Sequence, residues 1–157
     1  MELAYLYVMN YGEWVPVDYG RVEGDSLCFT SVGRDVIYRA GFYSGGKDYF
    51  NGKPFLLDTM GVIRYSDPDI DRSITINAAR INHGQESGVV PGQSYTLRYL
   101  NQSGQWEDHA TKLCAGDGNL SFHNVPAGAF YFLYTPSDVR QLARIFLIGK
   151  EGEQMWY

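Results

Sequence analysis

Asp67, Asp69 and Asp71 alternate in the way the first ligands of a calcium loop do, because closely spaced carboxylate oxygens suit a hard cation. Such a loop also needs Gly at its sixth position and Glu at its twelfth, and neither is present. A solvated linker is the better reading, with incidental calcium binding as the alternative. His83, His109 and His123 are dispersed, without the short spacing of a metal pair or a nearby Ser or Cys nucleophile motif. Cys28 and Cys114 are too few and too far apart for a disulfide framework or a zinc site, and read as buried free thiols. These residues point to no catalytic constellation, no cofactor and no resident metal, so the chain reads as a protein other than an enzyme.

Aromatic residues offer the other chemistry, stacking on sugar rings. Phe42, Tyr43, Tyr49 and Phe50 flank the segment Ser44-Gly45-Gly46-Lys47-Asp48, where a scaffold could present them on a loop. A Gly-rich turn pinned by its own aromatics competes with that ligand-site reading. Trp14 and Trp106 also invite a sugar-stacking interpretation, but their repetition at one strand position favours two core anchors.

The elements that position these residues are strands. In 157 residues, 45% are hydrophobic and 20% charged, the balance of an ordinary globular protein. Thirteen Tyr, eight Phe and eighteen Gly suit pleated, half-buried strands joined by tight turns, so an all-β fold is expected. A net charge of -5 with scattered Lys and Arg provides no basic stripe for nucleic acid. No run approaches the roughly 20 apolar residues of a membrane-spanning helix. The N-terminus opens into strand-like sequence without a signal-peptide pattern, which fits either a cytosolic protein or a fragment whose export signal lay upstream.

The chain reads as an internal duplication. Sliding its first part over its second places Tyr7 on Tyr99, Gly12 on Gly104, Trp14 on Trp106 and Asp25 on Asp117 without a gap. Small register changes then align Leu27 with Leu120, Phe29 with Phe122, Val32 with Val125, Tyr38 with Tyr131, Phe55 with Phe146 and Tyr65 with Trp156. The expected organisation is a first β-sandwich unit over 1–65, a polar, Pro-interrupted linker over 66–73 and a second β-sandwich unit over 74–157. The second unit owns an extra leading strand, Ile74 to Ile81, which the first lacks.

Alternation in the second copy assigns Tyr95, Leu97 and Tyr99 to an inner face, with Trp106 also inward. Thr96, Arg98, Glu107, His109 and Thr111 then point outward. Their counterparts are apolar, so Leu6, Val8, Val15, Val17 and Tyr19, with Ala4, are expected to form a contiguous outer patch. Such a patch predicts an interface with a neighbouring domain or another protein.

The run Gly118-Asn119-Leu120-Ser121-Phe122-His123-Asn124-Val125-Pro126-Ala127-Gly128-Ala129-Phe130-Tyr131 resembles the turn and strand pair of transthyretin-like sandwiches, including carboxypeptidase regulatory-like domains. The first copy departs from it, with Gly33 in place of Pro126 and Asp35 in place of Gly128. Trp14-Val15-Pro16-Val17, Pro54-Phe55-Leu56-Leu57 and Arg144-Ile145-Phe146-Leu147 ending at Trp156 are similar to the tandem β-rich tails of secreted transglutaminase-like proteins of Bacteroidetes. The resemblance implies prealbumin-like or Ig-like units, an extracytoplasmic (periplasmic or cell-surface) protein and a catalytic domain upstream. On this reading the chain is a non-catalytic accessory or protein-interaction module, with a carbohydrate-binding module using the loop aromatics as the alternative.

Overall fold

The computed structural model describes residues 3–10, 13–30, 32–34, 36–50, 52–58, 60–77, 89–134, 146–148 and 154–156, with only the backbone of Leu3, Val22 and Gln154–Trp156. All regular structure among them is β, arranged in several antiparallel sheets. The chain divides into two compact units, Met1–Ser66 and Asp67–Tyr157.

In the first unit, strands β1 (Leu3–Asn10), β2 (Glu13–Tyr19), β5 (Tyr38–Ser44), β7 (Phe55–Leu57) and β8 (Ile63–Tyr65) form a sheet in the order β2-β1-β5-β7-β8, with β6 (Lys47–Phe50) also on β5. A separate hairpin joins β3 (Arg21–Glu23) to β4 (Ser26–Cys28). The β5–β6 connection follows directly from sequence. Gly45 and Gly46 both have positive φ, 60° and 84°, a backbone that glycine adopts freely and that matches the twist of a two-residue hairpin.

The second unit carries β10 (Ser94–Leu100), β11 (Trp106–Leu113), β13 (Phe130–Tyr134), β14 (Phe146–Ile148) and β15 (Gln154–Trp156) in the order β11-β10-β13-β14-β15. In both five-strand paths the second strand in chain order lies at the edge, followed by the first, third, fourth and fifth. A two-stranded sheet pairs β9 (Asp69–Asn77) with β12 (Ser121–Ala127). Ile76 of β9, Phe122 and Val125 of β12, Leu97 of β10, Tyr131 of β13 and Phe146 of β14 belong to one buried cluster, so both sheets share a core. The apolar run in β13 is buried along nearly its whole length because β13 is paired on both edges, with β10 and β14. Cys114 lies in this core, whereas Cys28 is only half-buried.

Three expectations change. The segment assigned to a linker is largely strand, since β9 begins at Asp69, and Ser73 and Asp69 pair with Pro126 and Ala127. Pro68 is compatible with this because it stands before the first strand residue, where no ladder donor is lost. The Asp69 carboxylate accepts the Asp71 N–H at 3.0 Å, a local turn contact. The strand expected over Ile74 to Ile81 thus starts earlier, and residues 78–81 lie outside the described residues, as do the Thr135–Gln141 loop, the Gly149–Gly152 turn and His83.

The second change concerns Trp106. A β-bulge between Leu97 and Arg98 puts Arg98 opposite Asp108, Tyr99 opposite Glu107 and Leu100 opposite Trp106. Paired residues share a face, so Trp106 lies on the side away from the Leu97–Tyr99 core, and Glu107 lies on the core side. There Trp106 meets Phe132 edge-on at 4.8 Å, and Arg98 sits 4.5 Å from the Tyr134 ring. Thr96 and Thr111 are bonded through their hydroxyls at 2.7 Å.

The third is the outer patch. The first unit carries its own bulge between Leu6 and Tyr7, and Val8, not Tyr7, faces Tyr38. Tyr99 faces Tyr131 in the second unit, so matching the two sheets by their bulges sets Leu6 on Leu97, one residue away from the sequence alignment of Tyr7 with Tyr99. Leu6 is accordingly fully buried, and Leu6, Val8 and Val15 share the face opposite to Tyr7 and Tyr19. The expected single patch is split across two faces.

Two carboxylates tie the strands. Asp58 accepts N–H bonds from Met60 and Val62, each at 2.9 Å, and from Arg64 Nε at 3.1 Å, closing the β7–β8 turn. The Val62 N–H is the largest cause of its lowered pKa, with Arg64 and Met60 adding to it against burial. Asp108 holds Arg98 Nε at 2.6 Å and the Tyr134 hydroxyl at 2.9 Å. Burial opposes the charge on Asp108, but the bonds from Arg98 and Tyr134 more than offset it and its pKa also falls. A carboxyl more acidic when folded than when unfolded stabilises the fold above its unfolded pKa, near 4, and loses that contribution as pH falls through its folded value. Thermal melts should therefore lose midpoint steeply below about pH 4, and Asp58→Asn with Asp108→Asn should flatten that decline. An unchanged acid slope in the double variant would assign it to other groups.

Candidate functional site

The Leu6–Tyr7 bulge sets the site. It lets Tyr5 pair with Tyr19 and Tyr7 with Pro16, so three tyrosines share one face although β2 would otherwise fall out of phase. On the next strands Tyr43 pairs with Asp48. Tyr5, Tyr7, Tyr19, Tyr43, Asp18 and Asp48, with Pro16 and Val17, line a groove of about 580 Å³. Tyr5 lies 5.1 Å from Tyr19 and 6.1 Å from Tyr7, ring centre to ring centre. Tyr19 and Tyr43 are 67% and 42% exposed, which leaves ring surface open to a ligand.

The floor is built to stay in place. Tyr7, fully buried as a residue, donates its hydroxyl to Asp48 at 2.7 Å. Burial first, then the bond to Asp48 and its charge, raise the Tyr7 pKa well above the usual phenol value, keeping the proton on that oxygen. Beside it on the same face, Phe50 meets Tyr7 edge-on at 4.9 Å and the Arg39 guanidinium lies 4.8 Å from the Phe50 ring. Arg39 Nε donates to the Gly52 carbonyl at 2.7 Å, which holds the cation against that ring. Such an arrangement can stack a ring and accept hydrogen bonds from a hydroxylated ligand at its carboxylates.

Of the four aromatics expected to form a loop site, the pleat separates two from two. Phe42 and Tyr49 pair directly and stack at 5.2 Å on one face. Tyr43 lines the groove on the other face, and Phe50 packs beside Tyr7 on that same face. Val17 and Tyr19, expected in an interface patch, also line the groove, whereas Leu6, Val8 and Val15 do not. Tyr5, Tyr7, Asp18 and Asp48 were not singled out from sequence. Tyr7 matched the core residue Tyr99 in the gap-free alignment, and only the bulge registers correct that pairing.

The remaining candidates do not converge. His109 Nε2 lies 2.8 Å from the His123 carbonyl and His123 Nδ1 lies 3.1 Å from the Thr75 hydroxyl, so each ring engages a neighbouring strand. Among the described residues no three His, Cys, Asp or Glu side chains are grouped to hold a metal ion, and Asp67, Asp69 and Asp71 form no such group. No described helix is long and apolar enough to cross a membrane. No protein-family model, curated protein or solved structure matches the chain.

Proposed function

We propose that the chain is a non-catalytic accessory module of an exported protein, made of two duplicated, transthyretin-like β-sandwich units, and that it binds carbohydrate through the tyrosine groove of the first. The groove carries this reading. It combines exposed tyrosine faces, which stack on the apolar faces of sugar rings, with carboxylates that accept from hydroxyls. Within it the Tyr7 hydroxyl donates to Asp48 and keeps its proton, because burial and that bond raise its pKa. The duplication is supported by the shared strand order, by the bulge at Leu6–Tyr7 and Leu97–Arg98, and by β7 and β8 corresponding residue for residue to β14 and β15. The exported setting and an upstream catalytic neighbour rest on the resemblance of Trp14–Val17, Pro54–Leu57 and the C-terminal run ending at Trp156 alone.

Titrating the chain with soluble polysaccharides and peptidoglycan fragments should give saturable amide shifts at Tyr5, Tyr19, Tyr43 and Asp48. Tyr19→Ala and Tyr43→Ala should each weaken binding about tenfold, the value of one stacked ring. Phe42→Ala, on the other face, should leave affinity unchanged. Shifts centred on Phe42 and Tyr49, or no saturable shift with any glycan, would remove the groove from consideration. A protein partner is favoured at a different place, the half-open core of the first unit.

A further inference from the structure

The two units differ in one layer. In the second, the turn Gly116-Asp117 leads through Leu120 and Phe122 into β12, and β9 lies along it, pairing Ile76 with Phe122 and Ile74 with Val125. Leu120, Phe122 and Val125 are consequently almost or wholly buried. In the first unit Gly24-Asp25 forms a two-residue turn between Glu23 and Ser26, and Leu27, Phe29 and Val32 follow at the places that the sequence aligns with Leu120, Phe122 and Val125. Among the described residues, no strand of the first unit corresponds to β9. The described residues among 29–34 belong to no strand. Leu27 is 39% exposed where Leu120 is 2%, and Phe29 and Val32 are half-covered where Phe122 and Val125 are sealed.

We infer that the backbone beside Leu27, Phe29 and Val32 is an acceptor for an extended strand donated by another protein, with branched apolar residues at alternate positions as in Ile74 and Ile76 of β9. The sister unit shows the chemistry that completes this core. Two inward apolar side chains would close over Leu27 and Phe29, while the strand backbone takes up ladder bonds beside Phe29 and Val32. A second copy of this chain is the poorer donor, because its own β9 is paired with β12 and holds Ile76 in a core. The inference rests on the duplication and is independent of the tyrosine groove, so failure of glycan binding leaves it untouched.

The test uses the full chain and a synthetic peptide of Asp69–Asn77. Saturable amide shifts should appear at Leu27, Phe29, Val32 and Gly33. The same peptide with Asp at both positions 74 and 76 should bind at least about tenfold more weakly, since two buried isoleucines are lost. As a second arm, the peptide sequence joined ahead of Met1 by a flexible Gly/Ser tether reaches millimolar effective concentration. That fusion should slow amide exchange at Leu27 and Phe29 and raise the melting midpoint of the first unit. Shifts at Phe122 and Val125 alone, meaning exchange with the resident β9, would overturn the inference. So would a fusion without protection, or a dimer of the unmodified chain that already covers Leu27.

Discussion

Phe122→Ala should cost the second unit about 3–5 kcal/mol, the usual penalty for emptying a fully buried phenylalanine site. Phe122 is wholly buried and touches the shared core of both sheets, so little can relax into the space. A domain holds about 5–15 kcal/mol in total, and the variant should leave the second unit close to unfolding at ordinary temperature. Phe29→Ala, at the position that the sequence aligns with Phe122, should cost about 1–2 kcal/mol, because a half-covered ring returns less apolar surface to water. Urea titrations followed by signals from each unit separately would measure both, since two units need not unfold in one step. Equal costs would mean that Phe29 is as covered as Phe122, and the open-core argument would fail. If a donated strand does complete the first unit, the Phe29→Ala cost should rise toward that of Phe122→Ala once the strand is tethered. That coupling separates a missing layer from a residue that is simply less important.

The all-β class was legible because Tyr, Phe and Gly content and period-two alternation report backbone preference directly. Phe55 and Phe146, aligned with each other in the sequence, each open a short strand. Faces were not legible. Alternation carries one phase per strand, and the extra residue Val17 opposite the Leu6–Tyr7 step resets the phase of β2, so Val15 and Tyr19 fall on opposite faces with no compositional sign. The same defect displaced Trp106 from the core to the opposite face. Asn124, with φ of 56°, sits where the β9–β12 register shifts, and Asn tolerates that left-handed backbone better than most residues. The polar Asp67–Arg72 stretch read as linker because β9 is exposed over its first half and its apolar pattern begins only at Ile74. The groove eluded sequence reasoning for a related reason. It is assembled from β1, β2, β5 and β6, and what unites its tyrosines is register between strands.

That dependence on register makes Gly41→Ala the most informative change around the groove, although Gly41 does not line it. A Cβ there would stand 2.6 Å from the Tyr49 carbonyl oxygen, 3.0 Å from Tyr7 Cε2 and 3.2 Å from Phe50 Cδ1. The first of these is backbone, held by the β5–β6 pairing of Gly41 with Phe50 and Phe42 with Tyr49, and it cannot swing aside as a side chain would. The methyl must therefore push β6 and the Tyr7 ring apart. Overpacking of this kind costs about 1–3 kcal/mol, and the displacement carries Asp48 away from the Tyr7 hydroxyl. Two readouts follow. The first unit should melt earlier, and the Tyr7 ring, followed by its Cζ resonance, should titrate closer to an ordinary phenol because the Asp48 bond that helps hold its proton is lost. Glycan affinity should fall at least as far as in Tyr43→Ala, although every aromatic platform is still present in the sequence. Gly41→Ala with wild-type melting and an unchanged Tyr7 titration would show that β5 and β6 do not approach as closely as the groove requires, and the site would have to be rebuilt from a different register.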